Sequence, residues 1–349
     1  MLSLTNQQKR LLALIQEELP LVRNPFVMLG EKCGLTESEV IESLQVFKED
    51  GVIRQISAIF DTRCLGYRSS LVAMRVDSQR EDEAAEVINS HPGVTHNYRR
   101  NHAFNLWFTV AVPPNSRIGL EKTVELFHSL AKAQSTRLMP TIKLFKIGVN
   151  LDITGENSPD KKETPRYSEE MRHRPKSEIT EREIHFIRVM QEDMPVVSTP
   201  YHAMAEQLGM GQDELFGMAA RFVEEGKLRR MAAVLNHRKA GFVANAMGVW
   251  DVPPERIAQV GVQMGSFSAV SHCYQRPVYP DWPYSIFTMV HGRDKQACDT
   301  ILESLSGATG IIRYEALFST KEYKKIRLKY FTPEINRWEE RHASLAVTV

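Results

Sequence analysis

Two short strings in this chain carry residues that could do chemistry: His96, Tyr98 and Arg100, and His272, Tyr274 and Arg276. In an extended strand, every-second-residue spacing brings each trio to one face, with Asn97 and Arg99 on the other. A guanidinium grips a carboxylate through a two-pronged fork. A phenol donates a hydrogen bond, and an imidazole moves a proton near neutral pH. The set suits a pocket wall for a flat, acidic ligand. A packed polar sheet face would show the same residues, but their recurrence favours a site, since convergent polar groups mark one.

The flanks differ. The first string runs on through His102, Phe104 and Trp107. The second runs through Tyr279, Trp282 and Tyr284, interleaved with Pro277, Pro280 and Pro283. Such a stiff aromatic connection could cover the face of a macrocycle; the alternative is a packed surface loop. Weaker candidates are Lys143, Lys146, Arg313 and Lys321, near the last strand of each half, as rim charges. His202 reads as a surface or capping histidine. No G-x-G-x-x-G or G-x-x-x-x-G-K-[ST] string occurs, and no G-x-S-x-G, so neither a nucleotide site nor a nucleophile elbow is signalled.

The elements that must position these residues come twice. Thr5–Gly66 aligns with Thr180–Gly241 without a gap, matching Pro20 to Pro195, Pro25 to Pro200 and Gly34 to Gly209. Solenoid repeats span about 20–50 residues, so this longer unit is a whole protomer, duplicated and fused. The chain reads as an internal pseudo-dimer, and further self-association is compatible with that. In each copy three amphipathic segments with tight Gly turns precede a strand. Pro25 fits the first turn of a helix, and Thr36 with Glu39 forms a capping box. With a hairpin after them, these segments describe a winged helix-turn-helix. A strand–helix–strand–strand–helix–strand order follows, with first-copy strands at 69–76, 94–100, 105–112 and 141–148. The fold class is α+β: two tandem copies of a winged helix-turn-helix plus a ferredoxin-like βαββαβ domain. Expected boundaries are 1–60 and 61–151 for the first copy, 152–179 for a polar linker, 180–236 and 237–335 for the second copy, and 336–349 for a C-terminal tail.

Composition excludes several classes. A formal net charge of +1 over 349 residues gives no field to gather nucleic acid. The second helix of the helix-turn-helix pair carries Glu37, Glu39, Glu42, Glu49 and Asp50 against Lys48, and its counterpart Asp213, Glu214, Glu224 and Glu225 against Arg221. Both would repel phosphate, so DNA is an unlikely partner. Arg54, Arg229 and Arg230 on the wings could still touch a backbone. The 4 cysteines form no C-x-x-C pair, which predicts neither a metal site nor covalent haem attachment. With no signal-like start and no apolar run near the roughly 18 residues of a membrane span, a cytoplasmic, membrane-free protein is expected.

The whole plan resembles the Lrp/AsnC regulator architecture. More narrowly, Val94–Thr109, Val270–Tyr284 and Tyr314–Lys325 resemble the two different subunits of siroheme decarboxylase, as if both were fused in one chain. That resemblance implies loss of the carboxyl groups from the C12 and C18 acetates of siroheme, giving 12,18-didecarboxysiroheme for haem or haem d1 synthesis. It implies no dedicated cofactor, since iron comes with the substrate. His96 and His272, with Tyr98 and Tyr274, become candidate proton donors. Arg99, Arg100, His102, Arg276, Trp282 and Tyr284 become candidate ligand contacts. A histidine ligating the iron is a competing role. An Lrp/AsnC-type regulator, or a tetrapyrrole sensor or carrier without chemistry, stays the alternative.

Overall fold

The computed structural model describes residues 4–147, 178–235 and 244–346. Contacts divide the chain into two units: Met1–Gly66 with Arg174–Gly241, and Tyr67–His173 with Phe242–Val349. Each unit joins corresponding parts of the two copies. The expected linker, 152–179, lies almost wholly outside the described residues.

The first unit holds both helix-turn-helix segments. In the first copy α1 is Asn6–Glu17, α2 Pro25–Cys33 and α3 Glu37–Glu49. Pro25 opens α2, Gly34 ends it in the left-handed region at φ 70°, and the Thr36/Glu39 capping box opens α3. The expected hairpin is corrected. Strand β1, Ile53–Phe60, pairs antiparallel with β7, Leu228–Leu235, of the other copy. The copies lock reciprocally here: Leu19 N–H donates to the Met231 carbonyl and Met194 N–H to that of Ile56, each at 2.8 Å. The second copy's helices are α6 (Glu181–Met190), α7 (Pro200–Gln207) and α8 (Gln212–Glu224).

The second unit contains one nine-stranded sheet, ordered β5-β2-β4-β3-β11-β8-β10-β9-β6. The first copy supplies β2 (Arg68–Arg75), α4 (Glu81–Asn89), β3 (Val94–Arg100), β4 (Leu106–Val112), α5 (Leu120–Leu130), β5 (Ser135–Met139) and β6 (Lys143–Ile147). The second supplies β8 (Ala244–Trp250), α9 (Ile257–Gly265), β9 (Val270–Gln275), β10 (Ile286–Gly292), α10 (Lys295–Thr309) and β11 (Tyr314–Lys325).

The fourth first-copy strand is therefore β5, and the segment read at 141–148 does something else. As β6 it crosses to the second copy and pairs with β9. Reciprocally, β11 pairs with β8 through residues 314–318 and with β3 through residues 319–325. The one long strand of the second copy is two in the first, broken at Pro140, which has no N–H to give a ladder.

Helices cover one face of this sheet. On the other, Ala73, Trp107 and Met139 share an apolar cluster with Val249, Phe287 and Leu317. Strands β4 and β10 are four places apart, about 19 Å in a flat sheet. Yet the rings of Trp107 and Phe287 are 6.4 Å apart, so the sheet curls and its two halves meet face to face. The expected C-terminal tail is corrected too: α11, Pro333–Ala346, buries Trp338 in the first copy's core.

Candidate functional site

A β-bulge sets each histidine. Along β3, Val94 faces Val110 and His96 faces Thr109, leaving Thr95 as the inserted residue. Along β9, Val270 faces Val290 and His272 faces Met289, leaving Ser271 inserted. A bulge re-aims side chains out of strict alternation. Thr95 Oγ1 thus lies 3.0 Å from His96 Nδ1 and 2.7 Å from Thr109 Oγ1. Ser271 Oγ lies 2.9 Å from His272 Nδ1, 2.9 Å from His291 Nε2 and 3.2 Å from the Met289 carbonyl. That carbonyl can only accept. Giving it the Ser271 proton makes both imidazoles donors to Ser271 and leaves the His272 lone pair on Nε2. A hydroxyl precedes the histidine in both copies, the sequence signal that could have found this contact.

Tyrosine and arginine continue each row. Ring centroids of His96 and Tyr98 are 6.2 Å apart, and those of His272 and Tyr274 6.0 Å. The guanidinium of Arg100 lies 5.7 Å from the Tyr98 ring, that of Arg276 4.8 Å from Tyr274. Arg100 is buried, and its Nε has no hydrogen-bond partner among the described residues. Burial pulls its pKa down to about 10, against the pull of Tyr98. A cation buried this way attracts an anion.

The facing halves bring the rows to a common space. His272 is half-buried but crowded by protein. Desolvation first, then the charges of His291, His96, Arg276 and Lys146, push its pKa down to about 3. The charge of His96 acts on His272, so the two copies' histidines share one neighbourhood. With no ligand His272 is neutral at pH 7.

The strands exchanged between copies give these rows unlike neighbours. Lys325 is the register partner of His96 and Glu322 that of Tyr98. In the second copy Ile147 is the partner of His272 and Leu144 that of Tyr274. Directly opposed residues share a face, with Cβ atoms about 5 Å apart. Glu322, Lys325, Ser271 and His291 were not among the residues expected from the sequence.

Other expected residues lie elsewhere. Arg99 points to the helical face, 3.1 Å from Glu81 and 2.9 Å from Thr320, so it is not brought together with His96. Trp282 is a correction. It is fully buried, with the rings of His102, Phe104, Trp107, Tyr284 and Phe287 around it, and it offers no face to a ligand. His102 and Tyr284 converge instead on Glu315. His102 Nε2 is 3.6 Å from one carboxylate oxygen, and the Tyr284 hydroxyl donates to the other. Burial lowers the His102 pKa, against Glu315. Burial and Glu315 raise that of Tyr284. The candidate rim charges all have protein partners. Arg313 pairs with Asp251 and Lys321 with Asp82, both at 2.7 Å. Lys146 donates to the Phe267 carbonyl at 2.6 Å, and Lys143 lies over the Phe145 ring. His202 is exposed beside Glu206.

Known proteins share this arrangement. Residues 64–146 and 239–324 match the AsnC-like ligand binding domain, and residues 8–54 and 183–229 the siroheme decarboxylase NirDL-like HTH domain. The chain is 40% identical to the siroheme decarboxylase of Hydrogenobacter thermophilus, over 95% of this chain and 97% of that one. It belongs to the siroheme decarboxylase family. Members of this family also occur as separate subunits: the beta subunit of Methanosarcina barkeri is 41% identical over 41% of this chain and 94% of its own length. The present chain fuses both subunit types. The crystal structure of the siroheme decarboxylase NirDL in co-complex with iron-uroporphyrin III analogue matches with a TM-score of 0.77 at 34% identity, covering 97% of this chain and 99% of that one. The family's architecture, paired helix-turn-helix and AsnC-like segments, is thus the architecture seen here. Among the described residues no helix is long and apolar enough to cross a membrane.

Proposed function

We propose that the chain decarboxylates siroheme at the C12 and C18 acetates, giving 12,18-didecarboxysiroheme for haem or haem d1 synthesis. The observation that carries this is the full-length likeness to the Hydrogenobacter thermophilus protein. The inward rows of His, Tyr and Arg give it a chemical basis. Each acetate loses CO2, the electron pair of the broken C–C bond stays on the methylene carbon and spreads into the macrocycle, and a proton completes the methyl group. His96 or His272 supplies that proton, oriented by Tyr98 or Tyr274. His272, neutral when the site is empty, takes up its proton as the ligand's carboxylates approach, because nearby negative charge favours imidazolium. Arg100 and Arg276 bring positive charge to the ends of the rows. Iron enters with the macrocycle, and no other cofactor has a role in this reading.

The acidic faces of α3 and α8 weigh against an operator-binding role. The deciding experiment is anoxic incubation of the purified chain with siroheme, followed by mass spectrometry. Stepwise loss of two CO2 is expected. Tight binding with unchanged mass would leave a tetrapyrrole carrier or sensor as the better account.

A further inference from the structure

The two rows are related by duplication, yet the strands laid beside them are not alike. Strand β11 brings Glu322 and Lys325 to Tyr98 and His96. Strand β6 brings Leu144 and Ile147 to Tyr274 and His272. A second difference lies across the row. Ser271 bridges His272 to His291. His291 faces Asn245 on β8, and the corresponding β4 position, facing Ser69 on β2, is Ala111. One row therefore has a charged border and a single histidine. The other has an apolar border and a pair of histidines joined through a hydroxyl.

Decarboxylation separates these settings. A cation beside a carboxylate stabilises the ion that must be lost and slows its departure. An apolar border withdraws water from it and speeds departure. The carbanion left behind needs a proton, and the donor must then be recharged.

Resting on the decarboxylase reading above, we propose a division of labour between the copies. Lys325 anchors a non-reacting carboxylate of the macrocycle beside His96. The acetate that loses CO2 lies against Leu144 and Ile147 beside His272. There the C–C bond breaks, CO2 leaves with no electrons from that bond, and the pair remains on the methylene carbon. His272 gives the proton that forms the new C–H bond. His291 donates to Ser271, whose oxygen also takes the His272 Nδ1–H, so His272 is held with Nε2 toward the acetate and Nε2 is recharged from solvent. Lys325 is a specificity residue in this scheme and His291 a positioning residue. One reacting face serving two acetates requires the macrocycle to turn between steps, so a mono-decarboxylated product leaves and rebinds.

The test measures siroheme affinity by anoxic absorbance titration, and the decarboxylation rate of bound siroheme by single-turnover mass spectrometry. Lys325→Met weakens binding about tenfold or more, the size of a lost charge-assisted contact, and leaves the rate of bound substrate within about twofold. Lys325→Arg restores affinity. Ile147→Lys keeps affinity and slows the bound reaction at least about tenfold, because a cation then holds the leaving carboxylate. If Ile147→Lys does not fold, the smaller Ile147→Asn slows the reaction in the same direction. His291→Ala slows decarboxylation of bound siroheme several-fold in the first turnover as in later ones, and His291→Gln, whose amide can still donate to Ser271, restores it. Loss of rate at unchanged affinity in Lys325→Met, or an unaltered rate in folded Ile147 variants, overturns the division of labour while the decarboxylase reading stands. If the unaltered chain binds siroheme and never releases CO2, that reading falls and takes this inference with it.

Discussion

Arg100 of the first copy donates through Nη1 to the backbone carbonyl of Leu317 in the second, 2.6 Å away. The relation is reciprocal: Arg276 of the second copy donates through Nη1 to the Met139 carbonyl of the first. Leu317 and Met139 occupy corresponding places on β11 and β5. Each arginine that closes a His-x-Tyr-x-Arg row is thus also a clasp between copies. Removing it leaves a buried carbonyl without that donor. Arg100→Met and Arg276→Met are each expected to cost about 1.5–3 kcal/mol of stability, the range for hydrogen bonds to charged groups. Urea unfolding in the absence of ligand reads this directly. Unchanged midpoints would mean the guanidiniums serve the ligand alone.

The low pKa of His272 makes ligand binding a proton-uptake event. Empty, the imidazole titrates at about 3, chiefly because it is desolvated and secondarily because its neighbours are cationic. Carboxylates entering beside it raise that value. Between the two values the bound state holds more protons than the empty one, so affinity for siroheme rises as pH falls toward 6. Calorimetry at pH 7 in buffers of different ionisation enthalpy should show net uptake, and His272→Gln should reduce it. Equal uptake in the variant would place the proton elsewhere.

His91 gives a separate pH dependence, on stability. It is fully buried, accepts from the Gly93 N–H at 2.9 Å, and lies edge-on to Phe127 and Trp338. Desolvation, with the charges of Lys324 and His342, lowers its pKa to about 3. The unfolded chain binds this proton near 6.5, so its contribution to stability is full above that pH. It is lost as pH falls toward 3, at up to about 1.4 kcal/mol per pH unit. In the empty protein His272 acts with the same sign. Melting temperatures from pH 7 to pH 4 should fall less steeply in His91→Gln than in the unaltered chain, after allowing for its lower starting stability. An unchanged slope would show that His91 does not couple folding to protons.

Local signals were legible in the sequence, and partners were not. The capping box of Thr36 and Glu39, the Pro25 start, the Gly34 stop and the bounds of β3 follow from residues close in the chain. The face shared by His96, Tyr98 and Arg100 follows from strand period alone. Which strand lies beside which is decided by contacts distant in sequence. Nothing local tells that β1 seeks β7, or that Lys143–Ile147 crosses to the other copy while Ser135–Met139 closes the first. Residues 319–325 are polar and charged and read as a solvated end. Their pairing with β3 is what carries Lys325 and Glu322 to the site. The bulges at Thr95 and Ser271 likewise depend on the neighbouring strand. The proline-rich surroundings of Trp282 suggest a cover, but proximity to Trp107 makes it core.

Glu315 supplies a clasp whose strength can be tested without touching either histidine row. It takes the Tyr284 hydroxyl on one oxygen and faces His102 on the other. At the corresponding place in the first copy Arg137 holds Asp281 at 2.9 Å. Charge is reversed between the two clasps, so each favours its own loop. Burial raises the Tyr284 pKa first and Glu315 second, so Glu315→Gln is expected to lower it part of the way toward its ordinary value. Ultraviolet titration of the tyrosines checks this, and a curve unchanged at its alkaline end would discount the pair.

Trp338 tests whether the C-terminal helix is part of the first copy's fold. Its ring is fully buried, edge-on to His91 at 4.5 Å and to Phe127 at 5.8 Å, with Nε1 donating to Ser90 Oγ at 3.0 Å. Next to it Glu339 accepts from the Arg117 N–H at 2.9 Å and from the Ser116 hydroxyl. These contacts join α11 to both α4 and the turn before α5. A loose tail would tolerate loss of the ring. A core residue does not, and Trp338→Ala is expected to cost about 3–5 kcal/mol. The loss should appear in the unfolding of the sheet-bearing unit. Denaturant unfolding followed by far-ultraviolet circular dichroism, with hydrogen exchange at α4 and α5, locates it. If protection at those helices is unchanged, α11 covers the first copy without supporting it.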